Sequence, residues 1–378
     1  MWNTDGFGHH SDYSTIFPKV APYPLKGTEM PQVPNGVQAV RLGIAGMTHD
    51  HVHPLLKHPI QGDIEIVGIA EADSALVKRY HEQYGIKMDQ IYADLEAMLD
   101  ATHPQVVAAF GSIYEHLEVV KACAPRGIHV MVEKPLAVSM EHARQIADLS
   151  RQYNIQVLTN YETTWYASNH SAYHMVHDEN QIGQIRKVVV HDGHWGPKEI
   201  GCTPEFLKWL TDPIQNGGGA VVDFGCYGAN LITWLMDNQL PMSVTAVLQQ
   251  LKPDIYPHVD DEATIIVTYE HSQGIIQGSW NWPVGRKDIE IYGQTGYVYA
   301  VDGTNLRYRQ RAEPIEQTRK LDLRAAPFDN PFSWLAAVMH QTVSVADNDL
   351  SSLTNNLVVV QILDAARESA RTGKTVHL

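Results

Sequence analysis

The first part of the chain alternates short apolar runs with segments whose apolar positions recur at helical spacing. The apolar runs are residues 40–46, 64–70, 106–110, 128–132 and 155–158. The helical segments between them are residues 74–84, 95–100, 116–126 and 140–153. Strands that alternate with helices predict a doubly wound parallel sheet. Because these strands are apolar throughout, the sheet should be covered on both faces.

Beyond residue 160 the pattern changes to longer stretches in which alternate positions are apolar. These predicted strands are residues 185–195, 243–251, 263–269, 274–282, 288–292 and 297–301. Turn signals such as Asp302-Gly303 separate them, so a mostly antiparallel sheet is predicted. Helices are predicted at residues 168–180, 224–236, 331–346 and 353–372.

These patterns predict an α/β protein with three parts. Residues 1–36 are rich in glycine and proline and indicate an extended arm, either a frayed tail or a segment packed on a partner subunit or over a cofactor. Residues 37–159 form a Rossmann domain with a doubly wound parallel sheet. Residues 160–378 form an α/β domain with a large, open, mostly antiparallel sheet, concerned with substrate binding and oligomerisation. We expect its C-terminal helices to return to the Rossmann domain.

The amino-acid composition limits which partners the protein is expected to bind and where in the cell it is expected to lie. The formal net charge of −15 disfavours nucleic acid and anionic membrane surfaces, because both bind through basic residues. No apolar run reaches the roughly 18 residues of a transmembrane helix, and the N-terminus lacks the pattern of a secretory signal. The three cysteines are widely spaced and indicate neither a disulfide framework nor a CxxC metal site. A cytoplasmic protein is therefore expected.

The first strand runs into a turn that partly matches a dinucleotide-binding fingerprint. Gly43 and Gly46 stand at its start, but Thr48 and His51 occupy the second and third glycine positions counted from Gly46. Such a turn follows a strand, opens a helix and lets the backbone approach a pyrophosphate. We therefore expect Gly43, Gly46, Thr48 and His49 to bind the cofactor.

An acidic residue follows the second strand, as the same fingerprint requires. A carboxylate at Glu71 can bind both hydroxyls of an adenosine ribose and would repel a 2′-phosphate. The sequence therefore favours NAD over NADP. The alternative is that Glu71 is a solvated carboxylate at a strand end.

Histidines crowd the segment after the glycine turn. His49 and His53 are four residues apart, so on a helix they would share a face, as two ligands of a metal site do. The sequence identifies no third ligand, so no metal is predicted. Contacts with the cofactor or with neighbouring loops are expected instead.

Two longer motifs resemble the signatures of the glucose–fructose oxidoreductase, inositol dehydrogenase and rhizopine-catabolism family (Gfo/Idh/MocA). The first is Val130-Met-Val-Glu133-Lys134-Pro135, preceded by a loop that ends in His116. The second is Gly217-Gly-Gly-Ala-Val-Val-Asp223-Phe-Gly-Cys-Tyr227-Gly-Ala-Asn230. The resemblance spans residues 37–378. It implies a Rossmann domain followed by an open-sheet α/β domain, and a homodimer or homotetramer.

The resemblance also implies the roles of several residues. Ser112, His116, Glu133 and Lys134 would bind NAD, and Lys134 would hold the reacting hydroxyl. A proline after Lys134 allows a cis peptide bond. We expect partial burial to lower the pKa of Lys134 toward neutrality. The alternative is a surface lysine in a turn.

The second signature departs from its usual form, which has histidine at 227 and aspartate at 230. With Tyr227 and Asn230 in these places, Lys134 and Tyr227 are the predicted proton-handling pair, and Asp223 would orient Lys134 or the sugar. A nearby lysine cation is expected to lower the pKa of Tyr227. The alternative is that Tyr227 only shapes the pocket.

Aromatic and histidine side chains are candidates for the substrate pocket, since aromatic faces with polar edges suit sugars. They are Tyr161, Trp165, His194 and Tyr227. The competing interpretation for each is packing within the domain.

Together these features predict an NAD-dependent oxidoreductase. It would transfer a hydride between nicotinamide and a hydroxyl carbon of a sugar, glycoside or inositol-like polyol. Two alternatives stay open: an NAD-dependent enzyme that cleaves glycosides in a closed redox cycle, and a non-catalytic protein that senses dinucleotides.

Overall fold

A computed structural model describes residues 38–57 and 63–378. The described chain folds around two β-sheets, one parallel and one mostly antiparallel, as the apolar patterns predict. The predicted arm at residues 1–36 lies outside the described residues.

The first sheet has six parallel strands in the order β3-β2-β1-β4-β5-β6. Its strands are β1 (Val40–Ala45), β2 (Ile64–Ala70), β3 (Ile91–Tyr92), β4 (Val106–Ala109), β5 (His129–Glu133) and β6 (Val157–Asn160). The helices along it are α1 (Val52–Lys57), α2 (Ser74–Tyr84), α3 (Leu95–Thr102), α4 (His116–Cys123) and α5 (Met140–Tyr153). This is the predicted doubly wound arrangement, and only the two-residue strand β3 was not anticipated.

The second sheet has nine strands in the order β14-β13-β12-β11-β7-β10-β9-β8-β15. They are β7 (Ile185–Gly193), β8 (Ser243–Gln249), β9 (Glu262–Thr268), β10 (Gln273–Ser279), β11 (Arg286–Gly293), β12 (Gly296–Ala300), β13 (Asn305–Gln310), β14 (Gln317–Lys320) and β15 (Val376–His377). The β7–β10 pair is parallel, and the other pairs are antiparallel.

Six helices accompany the second sheet in sequence. They are α6 (Ala167–Tyr173), α7 (Pro204–Leu210), α8 (Ala220–Asp223), α9 (Gly225–Leu235), α10 (Pro331–Met339) and α11 (Leu353–Thr372). Helices α9 and α11 cover one face of this sheet, where Ile232 and Leu363 share a core with Ile265. Helix α7 was not anticipated, and the predicted helix at 168–180 continues beyond α6 as a π-helical turn, His174–Asp178.

Helix α10 packs on the first sheet rather than on the second. Its Phe332, Trp334 and Leu335 belong to the same buried cluster as Val40 and Leu42 of β1. The chain therefore returns to the first sheet at α10, so α10 connects the two sheets in addition to the segment that follows β6. None of the helices in the described ranges is long and apolar enough to cross a membrane.

Candidate active site between the two sheets

A buried ion pair lies where the two sheets meet. Lys134 Nζ lies 2.5 Å from Asp223 Oδ1 and donates a second bond, 3.0 Å long, to the Asp223 carbonyl. Trp280 Nε1 donates to the other carboxylate oxygen of Asp223 at 2.9 Å. The side chains of Lys134 and Asp223 are 6 % and 7 % exposed. The two predicted signatures therefore converge on one pair.

Local chain geometry places each partner. Strand β5 ends at Glu133, so Lys134 is the first residue beyond its carboxyl end, and the Lys134–Pro135 peptide is cis, as expected. Asp223 ends the short helix α8, which begins in a glycine turn. Asp260 holds that turn by accepting from the amides of Gly219 (2.9 Å) and Val221 (2.7 Å).

The charge state of Lys134 differs from the prediction. Burial alone would lower the pKa of Lys134, but the facing Asp223 carboxylate outweighs it and raises this pKa above its usual value. Burial would raise the pKa of Asp223, and the Lys134 ammonium and the Trp280 hydrogen bond hold it below its usual value. The predicted lowering of the Lys134 pKa toward neutrality was wrong. The sequence could not show that the Asp223 carboxylate forms a buried ion pair with this lysine.

Tyr227 lies beside the pair with its ring face toward two ammonium groups. Its ring centroid is 5.2 Å from Lys134 Nζ and 4.4 Å from Lys287 Nζ. The residue is 1 % exposed. Burial raises the pKa of the Tyr227 phenol well above its usual value, and nearby acidic side chains such as Glu162 and Asp192 add to this. The prediction that a lysine would lower this pKa was wrong, and Tyr227 is a neutral phenol here.

A second ion pair adjoins the first and was missed by sequence reasoning. Lys287 of β11 forms a hydrogen-bonded ion pair with Glu162, which also accepts from Tyr166 Oη at 2.7 Å. Burial would lower the pKa of Lys287, but the nearby acidic side chains of Asp192 and Glu162 raise it instead. The only sequence signal was a lysine within an otherwise alternating strand.

The predicted substrate residues divide into two groups. Tyr161 packs edge-on against Tyr227, with ring centroids 5.4 Å apart. His194 packs edge-on against Phe224 at 4.8 Å, and burial lowers the pKa of His194 to about 4. Both lie beside the Lys134 pair.

Trp165 belongs elsewhere. Its Nε1 donates to Asn160 Oδ1 at 3.1 Å, and its ring contacts Trp334 of α10 at 5.7 Å. These contacts place Trp165 between β6 and α10, and its predicted contact with substrate stays a prediction.

The glycine turn after β1 has the geometry of a backbone cradle. Gly46 has φ +76°, and a Cβ added to it would lie 3.0 Å from the amide nitrogen of Gly111. Glu71 Oε2 accepts from the Met47 amide at 2.9 Å. The turn and the acidic residue therefore lie together at the carboxyl edge of the parallel sheet, where such sheets bind ligands.

Gly43 lies inside β1 rather than in the turn. A Cβ there would approach Met98 Cε at 2.9 Å, so this glycine permits close packing of α3. The prediction that Gly43 contacts the cofactor is not supported by its position. Thr48 follows Gly46 in the turn and is half-buried.

His49, two residues beyond Met47, is buried against α7. It is 1 % exposed, and its ring contacts Phe206 and Trp209 of α7 at 4.7 and 5.4 Å. Burial holds the pKa of His49 well below its usual value. This histidine links the glycine turn to the second domain rather than facing the turn's exterior.

Ser112 and His116 fix the loop after β4. Ser112 Oγ lies 2.9 Å from Glu115 Oε2 and 2.8 Å from Gln215 Oε1, and its single O–H donates to one of these two acceptors. His116 Nδ1 lies 3.1 Å from the carbonyl of Leu136, and burial lowers the pKa of His116 to about 4. Both residues therefore brace the loops around Lys134 through hydrogen bonds.

Glu133 is buried and bonded on both oxygens. Its Oε2 lies 2.8 Å from His51 Nδ1, and its Oε1 accepts from Asn160 Nδ2 at 2.8 Å. Burial would raise the pKa of Glu133, but His51 and Asn160 hold it below its usual value. Candidate ligand atoms of His49, His51 and Glu133 lie within 4.8 Å of one another. This group includes His49 but not His53, so it differs from the histidine pair considered from the sequence.

The residues at the sheet edge fit a dinucleotide. The turn at Gly46 packs so closely on the Gly111 backbone that it leaves no room for a side chain, as the tight first turn of a dinucleotide fingerprint requires. Glu71 stands where a ribose diol would be bound. A Rossmann sheet joined to a large open sheet, with a buried lysine at the junction, defines the class of two-domain dinucleotide-dependent oxidoreductases.

Comparison with known proteins identifies the family within this class. The family model described as an oxidoreductase family with an NAD-binding Rossmann fold matches residues 38–161, and the GFO/IDH/MocA C-terminal domain matches residues 170–299. The chain belongs to the GFO/IDH/MocA family, which confirms the predicted resemblance. It is an NAD-binding oxidoreductase.

Similar proteins share this architecture at low sequence identity. A trans-1,2-dihydrobenzene-1,2-diol dehydrogenase of Xenopus laevis is 28 % identical over 62 % of this chain and 67 % of its own length. A D-apiose dehydrogenase of Paraburkholderia graminis is 22 % identical over 89 % of this chain and 88 % of its own. The crystal structure of an inositol dehydrogenase homolog from Azotobacter vinelandii complexed with NAD+ has a TM-score of 0.77 at 18 % identity, covering 90 % of this chain and 98 % of that one.

Proposed function

We propose that this protein transfers a hydride between the nicotinamide of NAD and a hydroxyl-bearing carbon of a sugar or cyclic polyol. The observation that supports this most is the buried Lys134–Asp223 pair, which lies just beyond the carboxyl end of β5. A charged lysine held at the cofactor edge of a Rossmann sheet is suited to handle the proton of a reacting hydroxyl. Bound NAD supplies the hydride acceptor or donor.

Lys134 is the proton-handling group of this proposal. As an ammonium it donates a hydrogen bond to the reacting oxygen and gives that oxygen a proton when a carbonyl is reduced. For oxidation in the opposite direction it must lose a proton first. Asp223 keeps the ammonium in place, and the Trp280 hydrogen bond fixes the carboxylate. Tyr227, a neutral phenol packed on the ammonium, acts as a hydrogen-bond donor or a wall of the pocket rather than as a base.

The substrate class rests on the site and on the relatives together. The pocket combines aromatic rings with paired charges, which suits a neutral polyhydroxy compound. The named relatives act on D-apiose and on a dihydrodiol, and a neighbour is an inositol dehydrogenase homolog. We infer a substrate with adjacent hydroxyl groups.

We also propose that NAD is preferred over NADP, because the Glu71 carboxylate at the end of β2 would repel a 2′-phosphate. Its position next to the glycine turn, bonded to the Met47 amide, supports this.

Three unpaired cysteines, Cys123, Cys202 and Cys226, support a reducing cytoplasmic location.

A homodimer or homotetramer is proposed from the face of the second sheet that α9 and α11 do not cover. A group of tyrosines, Tyr292, Tyr297 and Tyr299, packs ring against ring on β11 and β12 there. On the same face of β8, Val247 is 60 % exposed. Apolar surface of this kind on an open sheet marks an association site. Light scattering of the wild type and of Tyr299→Glu tests it: a monomeric wild type contradicts the proposal.

The activity test uses purified protein, NAD and a panel of four compounds. The panel is myo-inositol, D-apiose, D-glucose and trans-1,2-dihydrobenzene-1,2-diol. We expect NADH absorbance to grow with at least one of them. Methyl glucoside is assayed in parallel for cleavage. If NADH does not accumulate with any of the four compounds but the glucoside is cleaved with NAD bound, the closed redox cycle replaces this proposal. If NAD binds and neither reaction occurs, the sensing alternative does.

A further inference from the structure

A carboxyl group with no partner lies beside the two ion pairs. Asp192, near the end of β7, is 1 % exposed. Neither of its carboxylate oxygens has a hydrogen-bond partner among the described residues. Buried polar groups are almost always bonded, because leaving one unpaired is costly. Asp192 therefore has hydrogen-bonding capacity that the described chain does not use.

Polar groups surround Asp192, and the sheet register places Asp192 opposite a residue of the second ion pair. Asp192 of β7 lies directly opposite Lys287 of β11 in the sheet, and both line one small pocket with Thr163 and Asn169. Thr163 is 3 % exposed, and its hydroxyl also has no partner in the described chain. Two unsatisfied groups thus meet in one pocket next to the Tyr227 ring, which Lys287 covers.

The charges around Asp192 are already balanced without it. Lys134 pairs with Asp223, and Lys287 pairs with Glu162. Burial therefore raises the pKa of Asp192 well above its usual value, and Glu162 and Asp223 add to this against the opposing pull of Lys287 and Lys134.

A neutral carboxyl group offers both kinds of hydrogen bond. Its O–H donates and its carbonyl oxygen accepts. A hydroxyl group of a ligand is its complement, since a hydroxyl also donates and accepts. A carboxylate or phosphate could only accept hydrogen bonds, so it would match only the donor of this carboxyl group.

We propose that Asp192 is a substrate-binding residue that takes one hydroxyl of the substrate, other than the hydroxyl held by Lys134, and so makes the enzyme select neutral polyols. This inference rests on the proposed function, because it assigns the second contact of the same substrate. Thr163 supplies a further hydroxyl in the same pocket. Lys287 is held by Glu162, so it shapes this end of the site without needing an anionic ligand.

The test compares substrate hydroxyls one at a time. Wild type, Asp192→Ala and Asp192→Asn are assayed with the best substrate of the panel and with each of its monodeoxy analogues. Removing the carboxyl should raise KM about 10-fold with little change in kcat, as expected for one lost hydrogen bond in a buried site. The asparagine variant keeps a donor and an acceptor and should stay within about 3-fold of wild type.

One deoxy analogue should identify the contact. It should lose about 10-fold in kcat/KM with the wild type and nothing further with Asp192→Ala, because the alanine variant has already lost that interaction. Glu290→Gln is the control, since Glu290 lies on the opposite face of β11 and binds Tyr292 Oη. It should leave every KM unchanged. Calorimetric binding of the substrate to the NADH complex gives a second readout.

The results separate this inference from the proposed function. Turnover by the wild type tests the function, whatever Asp192 does. If every deoxy analogue loses the same factor in wild type and Asp192→Ala, Asp192 touches no substrate hydroxyl and the inference is wrong. The same holds if the variant only loses thermal stability. Should the alanine variant not fold, Asp192→Leu removes the carboxyl without leaving a cavity and replaces it in the same comparison.

Discussion

Lys134 and Asp223 stand 89 positions apart in the chain, and their charged atoms meet at 2.5 Å in a buried site. The pair joins Lys134 of the first signature to Asp223 of the second, the last residue of α8. Because each charge is buried, each depends on the other for its ionisation. The Asp223 carboxylate therefore sets both the position and the proton affinity of Lys134. The first two predictions follow from this pairing.

The first prediction concerns the lysine itself. Lys134→Ala should lower turnover by about 100-fold to 10,000-fold, the usual contribution of a proton-transfer group, while changing NAD affinity little. Steady-state kinetics and NAD titration measure the two effects. Lys121→Ala is the matched control, because Lys121 is exposed on α4 and pairs with the exposed Glu118. Turnover of Lys134→Ala within a few-fold of wild type would contradict the assigned role.

The second prediction is a pH dependence with a defined direction. The Asp223 carboxylate raises the pKa of Lys134, so the base form needed for alcohol oxidation becomes more populated as the pH rises into the alkaline range. Oxidation should therefore speed up with pH, and carbonyl reduction by the ammonium should slow over the same range. In Asp223→Asn the opposing negative charge is gone, and burial then lowers the pKa of Lys134. The rise of oxidation with pH and the fall of reduction with pH, the two limbs of the profile, should therefore both move to lower pH.

Profiles of kcat/KM against pH in both directions, for wild type and Asp223→Asn, measure this shift. Movement of the limbs to higher pH in the variant, or no movement, would show that Lys134 does not set them. Asp148→Asn is the control, since Asp148 is exposed on α5 and pairs with the exposed Arg151.

The sequence predicted those parts of the fold whose limits are set locally. The predicted bounds of α2, α5 and α11 match the structure, because each begins after a capping side chain and ends at a left-handed residue. For α5 these are Ser139, which accepts from the His142 amide, and Asn154 with φ 51°. Strands β13 and β14 were missed, since β14 is exposed at every position and no apolar alternation distinguishes it from a loop.

The sequence predicted only the part of the candidate site that lies in contiguous motifs. Lys134, Asp223 and Tyr227 belong to contiguous signatures, and the structure brings them together. Lys287 and Asp192 come from separate strands and meet through the register of β7 with β11, which no local pattern encodes. The pKa of Tyr227 was misjudged because its direction depends on how many carboxylates surround the ring.

The third prediction concerns cofactor choice. Glu71→Ala should weaken NAD binding by about 10-fold, as loss of a charged hydrogen-bonding partner does, and should weaken NADP binding less, since the mutation also removes repulsion of the 2′-phosphate. Titration of each dinucleotide measures the two affinities. Glu65→Ala on the same strand is exposed and should leave both affinities unchanged. Equal losses for NAD and NADP would remove the basis for naming NAD.

The last prediction concerns the glycine turn that holds Asp223. A Cβ on Gly219 would lie 1.8 Å from the carbonyl oxygen of Asp260, so Gly219→Ala must displace the segment that accepts from the Gly219 and Val221 amides. We expect a fall of several degrees in Tm, as for other strained backbone changes, and a fall in kcat larger than the change in NAD affinity.

Gly285→Ala gives the matched comparison, because the nearest atom to its added Cβ is the Gly193 oxygen at an ordinary 3.9 Å. That variant should keep the Tm and the turnover of the wild type. Thermal unfolding and kinetics of the two variants together decide the point. A Gly219→Ala protein as stable and as active as Gly285→Ala would mean that the Asp260 turn does not position Asp223, and with it Lys134, for the reaction.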